Sequence, residues 1–488
     1  MRLLALLFCL LVCTPVAPAS AQSHPYEAID AFVRDRMKAT HTPGIAYAVV
    51  GPDGPIHQRT WGTDGRGKPV TPQTPFLWGS VAKPVTATAV MTLVQSGRLR
   101  LTDRVVDYLP DFRFGGAAHA RQVTIGHLLN QTAGLPEAAT FKVTDCLGSG
   151  CPTPAQRISA LNGGKPLGPP GTKYAYTSAN YLLLTAIVEA VTKRPYAEYL
   201  RPAVLEPAGM KGAIADIGSA KKRNLPPGHQ LLWGIPSAIA DGYDEHGAGY
   251  GYLGGDLNDL AAFASFQLRS GQTTDGKAVL TPGSVRLMRE EGKLSSGEGS
   301  GYGLGWSINA LDAPLDRALW HTGATFGYSS VLILLPEKNI ALVLQQNLYG
   351  FLHNDAVMHT GFGAAKLLAG GTPSKAPSAS TYYLTVWGIT ALALGLILAT
   401  GRSALLLRRR PAASSLRRRI ATAAWTLAGA LPLLIAVPAM SQMSPGQMMN
   451  WVPDAFAALC VAVAAGLATI TLRVTLALRT TRNRRASR

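Results

Sequence analysis

A serine and a lysine three residues apart are the clearest candidates for catalytic residues in this 488-residue sequence. They lie in the run Trp78-Gly79-Ser80-Val81-Ala82-Lys83, which opens a helical pattern of apolar residues. Residues three apart share one face of a helix, and the free N–H groups at a helix start favour negative charge on the Ser80 oxygen. A Lys83 amine in a dry pocket loses its proton readily and can then accept the proton of Ser80. The pattern predicts a nucleophilic serine that is activated by a lysine.

The surroundings of Ser80 resemble those found in a known family. The run from Thr74 to Phe112, and the segment from His127 to Pro136 that reads H-L-L-N-Q-T-A-G-L-P, are similar to the serine β-lactamase and penicillin-binding protein family. Its class C β-lactamase and D-alanyl-D-alanine carboxypeptidase branch is the most similar, over roughly residues 26–368. The resemblance implies an α/β fold in which an antiparallel sheet is flanked by helices and joined to a helical lobe. It also implies acyl transfer without a metal or an organic cofactor.

The second motif of that family, Tyr-x-Asn, matches Tyr176-Thr177-Ser178. The resemblance implies that Tyr176 lies near the Ser–Lys pair and shuttles protons to the leaving group. Ser178 stands where the family usually has Asn. Its hydroxyl can still bond a lysine or a substrate amide, but it lacks the paired donor and acceptor of an amide. Asn180, two residues further on, is a second candidate for this role, so the departure leaves substrate preference and rate open.

The third motif, Lys-Thr-Gly in many relatives, matches His321-Thr322-Gly323 and is followed by Ala324. The motif with His in its first position resembles that of peptidase and esterase members more than the motif with Lys that is usual in β-lactamases. We expect His321 to present a polar, titratable group to the pocket, and Gly323 to let the substrate approach the strand closely. The resemblance implies an oxyanion hole formed by the N–H groups of Ser80 and Ala324, where each donor lowers the barrier by about 3–4 kcal/mol. The expected substrate-binding residues are Ser178, His321, Thr322, Gly323 and Ala324.

The elements that position these motifs come from both ends of one α/β unit. A helix from Tyr26 to Met37 precedes strands at Ile45–Val50 and Ile56–Trp61, which a Pro-Asp-Gly turn joins into a predicted hairpin. Two more strands, at Ser329–Leu335 and Ile340–Gln345, precede a final helix from about His353 to Leu368. The two ends are therefore predicted to build one antiparallel sheet around a helical middle.

Apolar runs outside this unit predict export and membrane insertion. Residues 1–21 combine a positive start, an apolar core and an Ala-Ser-Ala cleavage site, which indicates a secretory signal peptide, with an N-terminal membrane anchor as the alternative. Residues 22–368 are the predicted hydrolase-like domain, and residues 369–381 form a linker whose composition indicates flexibility. Residues 382–488 are the predicted membrane region, with spans at about 382–400, 420–440 and 452–472.

The distribution of charge predicts the orientation of these spans. Residues after Gly401 carry 13 Arg against one acid, Asp454, all of the Arg lying between the first two spans or after the third. By the positive-inside rule these segments are cytoplasmic, which places residues 22–368 on the outer face of the cytoplasmic membrane. The tail supplies about +12 of the net charge of +18, and no basic stripe interleaved with aromatic residues remains elsewhere. We therefore expect the membrane and a substrate with a scissile carbonyl as partners, and no nucleic acid.

Two of the five cysteines are predicted to pair. Cys9 and Cys13 lie in the predicted signal peptide, and Cys460 lies in an apolar span. Cys146 and Cys151, spaced C-L-G-S-G-C, would face an oxidising compartment and can close a small disulfide loop. A zinc site would need further ligands close by in the sequence, so no metal is expected.

Together, these features predict a membrane-anchored serine hydrolase that forms an acyl-enzyme on Ser80. The expected activity is peptidase-like or esterase-like, towards peptidoglycan peptides, other D-amino-acid compounds or esters. A β-lactamase is the alternative, because the branches share all three motifs. A non-catalytic, membrane-bound ligand-binding module is the alternative of another class; Ser178 favours it, while Ser80, Lys83 and Tyr176 oppose it. The role of three spans stays open, since anchoring needs only one.

Overall fold

The computed structural model describes residues 26–148, 150–290, 293–294, 301–309, 311–409 and 416–486. The predicted signal peptide at residues 1–21 lies outside the described residues and stays a prediction. Within the described residues, a part built of strands and helices is followed by a part built of long apolar helices.

The described strands form one large antiparallel sheet and two small ones. The large sheet has the strand order β2-β1-β12-β11-β10-β9-β8-β7, while β3 pairs with β6 and β4 pairs with β5. The bounds are β1 Gly44–Gly51, β2 Gly54–Gly62, β3 Phe76–Leu77, β4 Gly228–Leu232, β5 Ile235–Ala240, β6 Gly254–Gly255, β7 Lys293–Leu294, β8 Gly301–Tyr302, β9 Ser307–Ile308, β10 Leu319–Thr325, β11 Tyr328–Leu335 and β12 Ile340–Gln346.

Helices flank the large sheet in the first part of the described chain, and long helices form the second part. Those of the first part are α1 Glu27–Ala39, α2 Ala82–Gln95, α3 Val105–Tyr108, α4 Gly116–Ala120, α5 Ile125–Leu129, α6 Thr140–Val143, α7 Pro154–Arg157, α8 Ser178–Thr192, α9 Tyr196–Leu200, α10 Ile217–Lys222, α11 Leu257–Leu268, α12 Pro282–Glu290 and α13 Asn354–Leu368. Those of the second part are α14 Ser380–Arg408, α15 Leu416–Gln442, α16 Pro445–Trp451 and α17 Pro453–Ala486.

The predicted sheet built from both chain ends is confirmed. Strand β1 of the hairpin pairs with β12, which in turn pairs with β11. In the β1–β12 pair, Ile45 lies opposite Gln346 and Val50 lies opposite Ala341. All eight residues of β1 are buried because helices cover both faces of the sheet. Side chains alternate across a strand, so Tyr47 and Val49 belong to the core shared with α1 and α13, whereas the intervening Ala48 belongs to the core shared with α2 and α11.

The helix that carries Lys83 lies at the centre of this first part. Every residue of α2 from Ala82 to Met91 is buried, so this helix has no solvent-exposed face along its first turns. The same core cluster joins α2 to the sheet on one side and to helix α8 on the other. Side chains at the start of α2 therefore lie where the sheet and the helical lobe meet.

Three helices of the second part are long and apolar enough to cross a membrane. They are α14, the part of α15 from Arg419 to Gln442, and the part of α17 from Pro453 to Arg479. Helix α17 packs against both α14 and α15. Gly429 and Gly466 allow close contact between α15 and α17, because a Cβ on Gly466 would lie only 2.3 Å from the Gly429 carbonyl oxygen.

The two parts of the chain are in direct contact, although residues 371–378 between them have no regular structure. The turn between β4 and β5 reaches the long helices: Trp233 N donates to Asp454 Oδ2 at 3.0 Å, and Trp233 Nε1 donates to Thr390 Oγ1 at 2.9 Å. Tyr382 receives a bond from Gly234 N at 2.9 Å and donates to the same Asp454 carboxylate at 2.6 Å. Three of these hydrogen bonds hold the β4–β5 turn against the first and third long helices, and the fourth joins the two helices to each other.

Candidate active site

Ser80 and Lys83 meet where a short turn enters helix α2. The 3-10 turn Gly79–Val81 leads directly into this helix, and Lys83 is its second residue. Lys83 Nζ lies 2.7 Å from Ser80 Oγ, which is hydrogen-bonding distance. The three-residue spacing recognised in the sequence therefore places the two groups side by side.

The Lys83 amine is completely buried and surrounded by oxygen atoms. Besides Ser80 Oγ, its Nζ lies 3.1 Å from Ser178 Oγ and 2.8 Å from the Tyr250 carbonyl oxygen. Burial holds the pKa of Lys83 well below its ordinary value, and the charge of Asp145 partly opposes this shift. An amine in this setting loses its proton at a lower pH than a surface lysine does.

Tyr176 lies next to the Ser–Lys pair. Its hydroxyl is hydrogen-bonded to Ser80, and Lys83 Nζ lies 5.0 Å from the centroid of its ring. Burial raises the pKa of Tyr176, and the bond with Ser80 lowers it less than burial raises it. The phenol therefore keeps its proton at neutral pH and can donate it to a neighbouring atom.

Ser178 and Asn180 have different surroundings, although both were candidates for the family's asparagine. Ser178 begins helix α8, and its hydroxyl points to Lys83. Asn180 is fully buried, and its Nδ2 donates to Gln131 Oε1 at 2.6 Å. Ser178 is therefore the residue that takes part in the polar cluster, while Asn180 fixes a neighbouring loop.

His321 lies on strand β10 and contacts Tyr176 and Tyr302. Its ring centroid is 6.0 Å from that of Tyr176, and only 3% of the residue is exposed. Its Nδ1 lies 2.6 Å from the Thr322 carbonyl oxygen, so this nitrogen carries the proton and Nε2 accepts a bond from the Tyr302 hydroxyl at 2.9 Å. Burial and the charge on Lys83 lower the pKa of His321 to about 3, so this group stays neutral instead of titrating near neutral pH.

Strand β10 crosses the Ser80 turn at very short range. A Cβ on Gly323 would lie 1.8 Å from the Trp78 carbonyl oxygen, and a Cβ on Gly79 would lie 2.1 Å from Ala324 N. Gly79 also has a φ of +54°, which favours glycine. Only residues without a side chain at these two positions let the backbone of Ala324 run beside that of Ser80.

A small cavity opens at Ser80. Its volume is about 160 Å³, and its described lining residues are Ser80, Thr140, Phe141, Thr144, Asp145, Ser178, Tyr250, Gly251, Tyr252, Ala324, Thr325, Tyr349, Phe351 and Trp451. Ser178 and Ala324 were expected there. His321, Thr322 and Gly323 are not among these lining residues: alternation along β10 buries His321 and turns it towards Tyr302, and Gly323 is pressed against Trp78. The expected substrate-binding roles of His321, Thr322 and Gly323 stay predictions.

Asp145 is a pocket residue that the motifs did not reveal. It directly precedes Cys146, which forms a disulfide with Cys151. Tyr252 OH donates to its Oδ1 at 3.0 Å, and Trp451 Nε1 donates to its Oδ2 at 3.1 Å. Burial raises the pKa of Asp145 to about 6, although these two bonds favour the charged form.

A buried ion pair supports both Asp145 and the carbonyl group that binds Lys83. Arg157 makes two bonds to Asp244, at 2.6 and 2.8 Å, and both side chains are almost fully buried. Asp244 also accepts bonds from Cys146 N at 3.1 Å and from the Tyr250 hydroxyl at 2.5 Å. One carboxylate therefore fixes the disulfide loop and the Tyr250 segment together.

Three further residues of the site were not identified from the sequence. Tyr302 belongs to the Gly-rich segment Gly301–Trp306, which gave no chemical signal beyond its glycines and aromatic residues. Tyr250 contributes its carbonyl oxygen, which any residue type could provide. Trp451 follows the second long apolar helix, where nothing in the sequence connects it to Ser80. Proximity to Cys146 was the one local signal available for Asp145.

A large antiparallel sheet, flanked by helices and holding a Ser-x-x-Lys pair at the start of a buried helix, defines the class of proteins with the serine β-lactamase-like fold. The chain belongs to the Beta-lactamase family, whose sequence profile matches residues 29–360. The resemblance drawn from the motifs is thereby confirmed. Members of this family are serine hydrolases.

Individual relatives agree with this assignment. Penicillin-binding protein 4 of Amycolatopsis lactamdurans is 33% identical over 316 residues, which cover 63% of this chain and 81% of that protein. The octameric penicillin-binding protein homologue from Pyrococcus abyssi has a similar structure, with a TM-score of 0.59 and 24% identity over 72% of this chain and 78% of that one. EstCE1, a hydrolase with promiscuous acyltransferase activity, has a similar structure, with a TM-score of 0.58 and 20% identity over 70% of this chain and 98% of that one. Both structural likenesses show the fold.

Proposed function

We propose that this protein is a membrane-anchored serine hydrolase that forms an acyl-enzyme on Ser80. The observation that carries the proposal is the position of a fully buried lysine amine, with a lowered pKa, 2.7 Å from a serine oxygen in a cavity. A surface lysine would be protonated and could not accept a proton. The buried Lys83 can, and this is what a serine needs to become a nucleophile.

In the proposed reaction, Ser80 Oγ attacks the carbonyl carbon of the substrate while its proton passes to Lys83 Nζ. The negative charge that develops on the carbonyl oxygen is stabilised by the N–H groups of Ser80 and Ala324. Tyr176 donates its proton to the leaving group and recovers one from Lys83, so the leaving group departs neutral and an ester on Ser80 remains. Water then attacks this ester, the acid product leaves, and Ser80 regains its proton.

The proposed substrates are peptidoglycan peptides, other D-amino-acid compounds or esters, with a carbonyl group next to a side-chain-sized substituent. The similarity to a penicillin-binding protein and the fold shared with EstCE1 support a peptidase-like or esterase-like activity. A β-lactamase is the second candidate, because it would use the same Ser80, Lys83 and Tyr176. A non-catalytic ligand-binding module is the candidate of another class, and Ser178 in place of asparagine is the feature that favours it.

The three apolar helices would anchor the enzyme in the cytoplasmic membrane, with the family domain on the outer face. The proposed orientation rests on the Arg residues between the first two spans and after the third, which favour the cytoplasmic side. It also agrees with the Cys146–Cys151 disulfide, because such bonds persist in oxidising compartments. Substrates would therefore reach Ser80 from outside the cell membrane.

The test is intact-protein mass spectrometry of the full-length protein in detergent. It is incubated with a small fluorophosphonate and, separately, with a penicillin; the variants are Ser80→Ala and, as a control, Ser96→Ala at the opposite end of α2. We expect one adduct on the wild type and on the control, and none on Ser80→Ala. A persistent penicillin adduct would favour the peptidase-like activity, and rapid loss of that adduct would favour a β-lactamase. Folded wild-type protein that takes up neither probe would refute the proposal and favour the binding module.

A further inference from the structure

Helix α16 connects two of the long apolar helices and lies against the cavity at Ser80. It begins with Ser444 as its cap, and Gln447 Nε2 donates to the Phe141 carbonyl oxygen at 2.7 Å. Phe141 is itself a lining residue of the cavity. At the other end of the helix, Trp451 lines the same cavity as Ser80. A segment between two predicted spans is therefore in contact with the candidate active site.

The indole ring of Trp451 is held on three sides. Its Nε1 donates to Asp145 Oδ2 at 3.1 Å, and its ring lies edge-on to Phe326, with centroids 4.7 Å apart, and to Tyr349, with centroids 5.6 Å apart. A hydrogen bond at the polar end of the indole and edge-to-face contacts at its apolar end are the interactions that fix a tryptophan in one orientation. The indole ring of Trp451 therefore forms part of the cavity wall in one fixed orientation.

The residues that follow α16 are also held in place by hydrogen bonds. Asp454, three residues after Trp451, is buried and accepts bonds from Trp233 N and from the hydroxyl of Tyr382. Trp233 in turn bonds Thr390 in the first long helix. The ends of the first and third long helices are therefore tied to the β4–β5 turn, and α16 is held between that attachment and the cavity.

We propose that the membrane region completes the substrate pocket, and that Trp451 is a specificity-determining residue limiting the size of the group bound beside Ser80. This inference rests on the proposed hydrolase function of Ser80. It also gives the further spans a role: one span would anchor the domain, but only a second crossing returns the chain to the outer face, where α16 lies between the second and third spans.

The cavity volume indicates what Trp451 limits. A cavity of about 160 Å³ is smaller than the roughly 300–1,000 Å³ of pockets that bury a whole drug-sized ligand. It therefore holds one side-chain-sized group of the substrate. Six of its fourteen described lining residues are aromatic, among them Phe141, Tyr252, Tyr349 and Trp451, so we expect this group to be small and largely apolar. Replacing the indole by a methyl group would lengthen the cavity and admit a larger group.

The experiment compares the rates at which a methyl and an octyl fluorophosphonate label Ser80 in full-length protein in detergent. For Trp451→Ala we expect the ratio of octyl to methyl labelling rates to rise by at least about tenfold, because binding a few additional methylene groups in an apolar pocket raises the reaction rate by at least that factor. Trp451→Phe keeps an aromatic wall and should keep the wild-type ratio. Trp387→Ala is the matched control, since Trp387 is an exposed tryptophan of the first long helix and is not a lining residue.

The outcomes separate this inference from the proposed function. If Trp451→Ala is labelled by the methyl probe and gives the same ratio as Trp387→Ala, the pocket role of Trp451 is wrong while the hydrolase proposal stands. If the wild type is labelled by neither probe, the hydrolase proposal itself fails. If Trp451→Ala proves unstable in a thermal melt, Trp451→Leu carries the test, and an unchanged ratio in that variant also overturns the inference.

Discussion

Lys83 Nζ lies 2.7 Å from Ser80 Oγ and, on another side, 2.8 Å from the carbonyl oxygen of Tyr250. A carbonyl oxygen can only accept, so an N–H of the amine must point to Tyr250. This bond orients the amine and leaves its lone pair free to face Ser80 when Lys83 is unprotonated. The backbone of residues 248–252 therefore sets the direction in which the proposed base acts.

The first prediction concerns the pH dependence of Ser80 labelling. Lys83 must be neutral to accept a proton, so we expect the labelling rate to rise with pH through the lowered pKa of Lys83 and then to level off. The negative charge of Asp145 raises the pKa of Lys83, so Asp145→Asn should lower this pKa and move the rise to lower pH. Asparagine keeps an oxygen that can accept the bond from Trp451.

The measurement is the rate of fluorophosphonate labelling of full-length protein across a pH series, with Asp275→Asn as the control. Asp275 is an exposed carboxylate outside the cavity, so its loss should leave the curve in place. A curve for Asp145→Asn that stays in place or moves to higher pH would contradict the electrostatic coupling of Asp145 to Lys83.

The second prediction concerns the hydroxyl of Ser178. Ser178→Ala removes one oxygen from the surroundings of the Lys83 amine, which costs about 1 kcal/mol and corresponds to a labelling rate lower by roughly fivefold. Ser178→Asn restores a polar group at this position and should recover most of the rate. The rates are compared with those of Ser159→Ala, whose serine is exposed on the surface. Equal rates in all three variants would mean that Ser178 does not contribute to the reaction.

The third prediction tests the close contact between strand β10 and the Ser80 turn. Gly323→Ala would place a methyl group 1.8 Å from the Trp78 carbonyl oxygen, so the strand or the turn must shift. We expect a loss of about 3 kcal/mol in the free energy of unfolding, together with slower labelling of Ser80. Gly163→Ala is the matched control, because a Cβ there meets no atom within 4 Å. Chemical denaturation of both variants would show no difference if the contact were unimportant.

Much of the fold could be predicted because its determinants are local. The helix expected from Tyr26 to Met37 is observed at Glu27–Ala39, and the strand expected at Ile340–Gln345 is observed at Ile340–Gln346. Hydrophobic periodicity and turn residues act within a few positions of the chain, so the sequence shows them directly. The spacing of Ser80 and Lys83 is likewise a local property of one helix.

The surroundings of the site could not be predicted, because they depend on contacts between distant segments. Asp145 and Trp451 meet only after the helical lobe and the long helices have packed together. The contact of His321 with Tyr302 could not be predicted for a related reason: a strand pattern shows that alternate residues share a face, but it does not show which face meets Tyr302. Motifs reveal the reacting groups, whereas tertiary packing decides which other side chains surround them.

The place of Trp451 in the chain has a consequence for the way the protein is made. Ser80 and Lys83 are synthesised early, but Trp451 is translated only after the first two long helices. In the proposed topology, the nascent domain is already exported when the last wall of its pocket is still inside the ribosome. A newly made chain would therefore have its reactive serine before it has its selectivity, and correct insertion of the final helix would be the step that completes the enzyme.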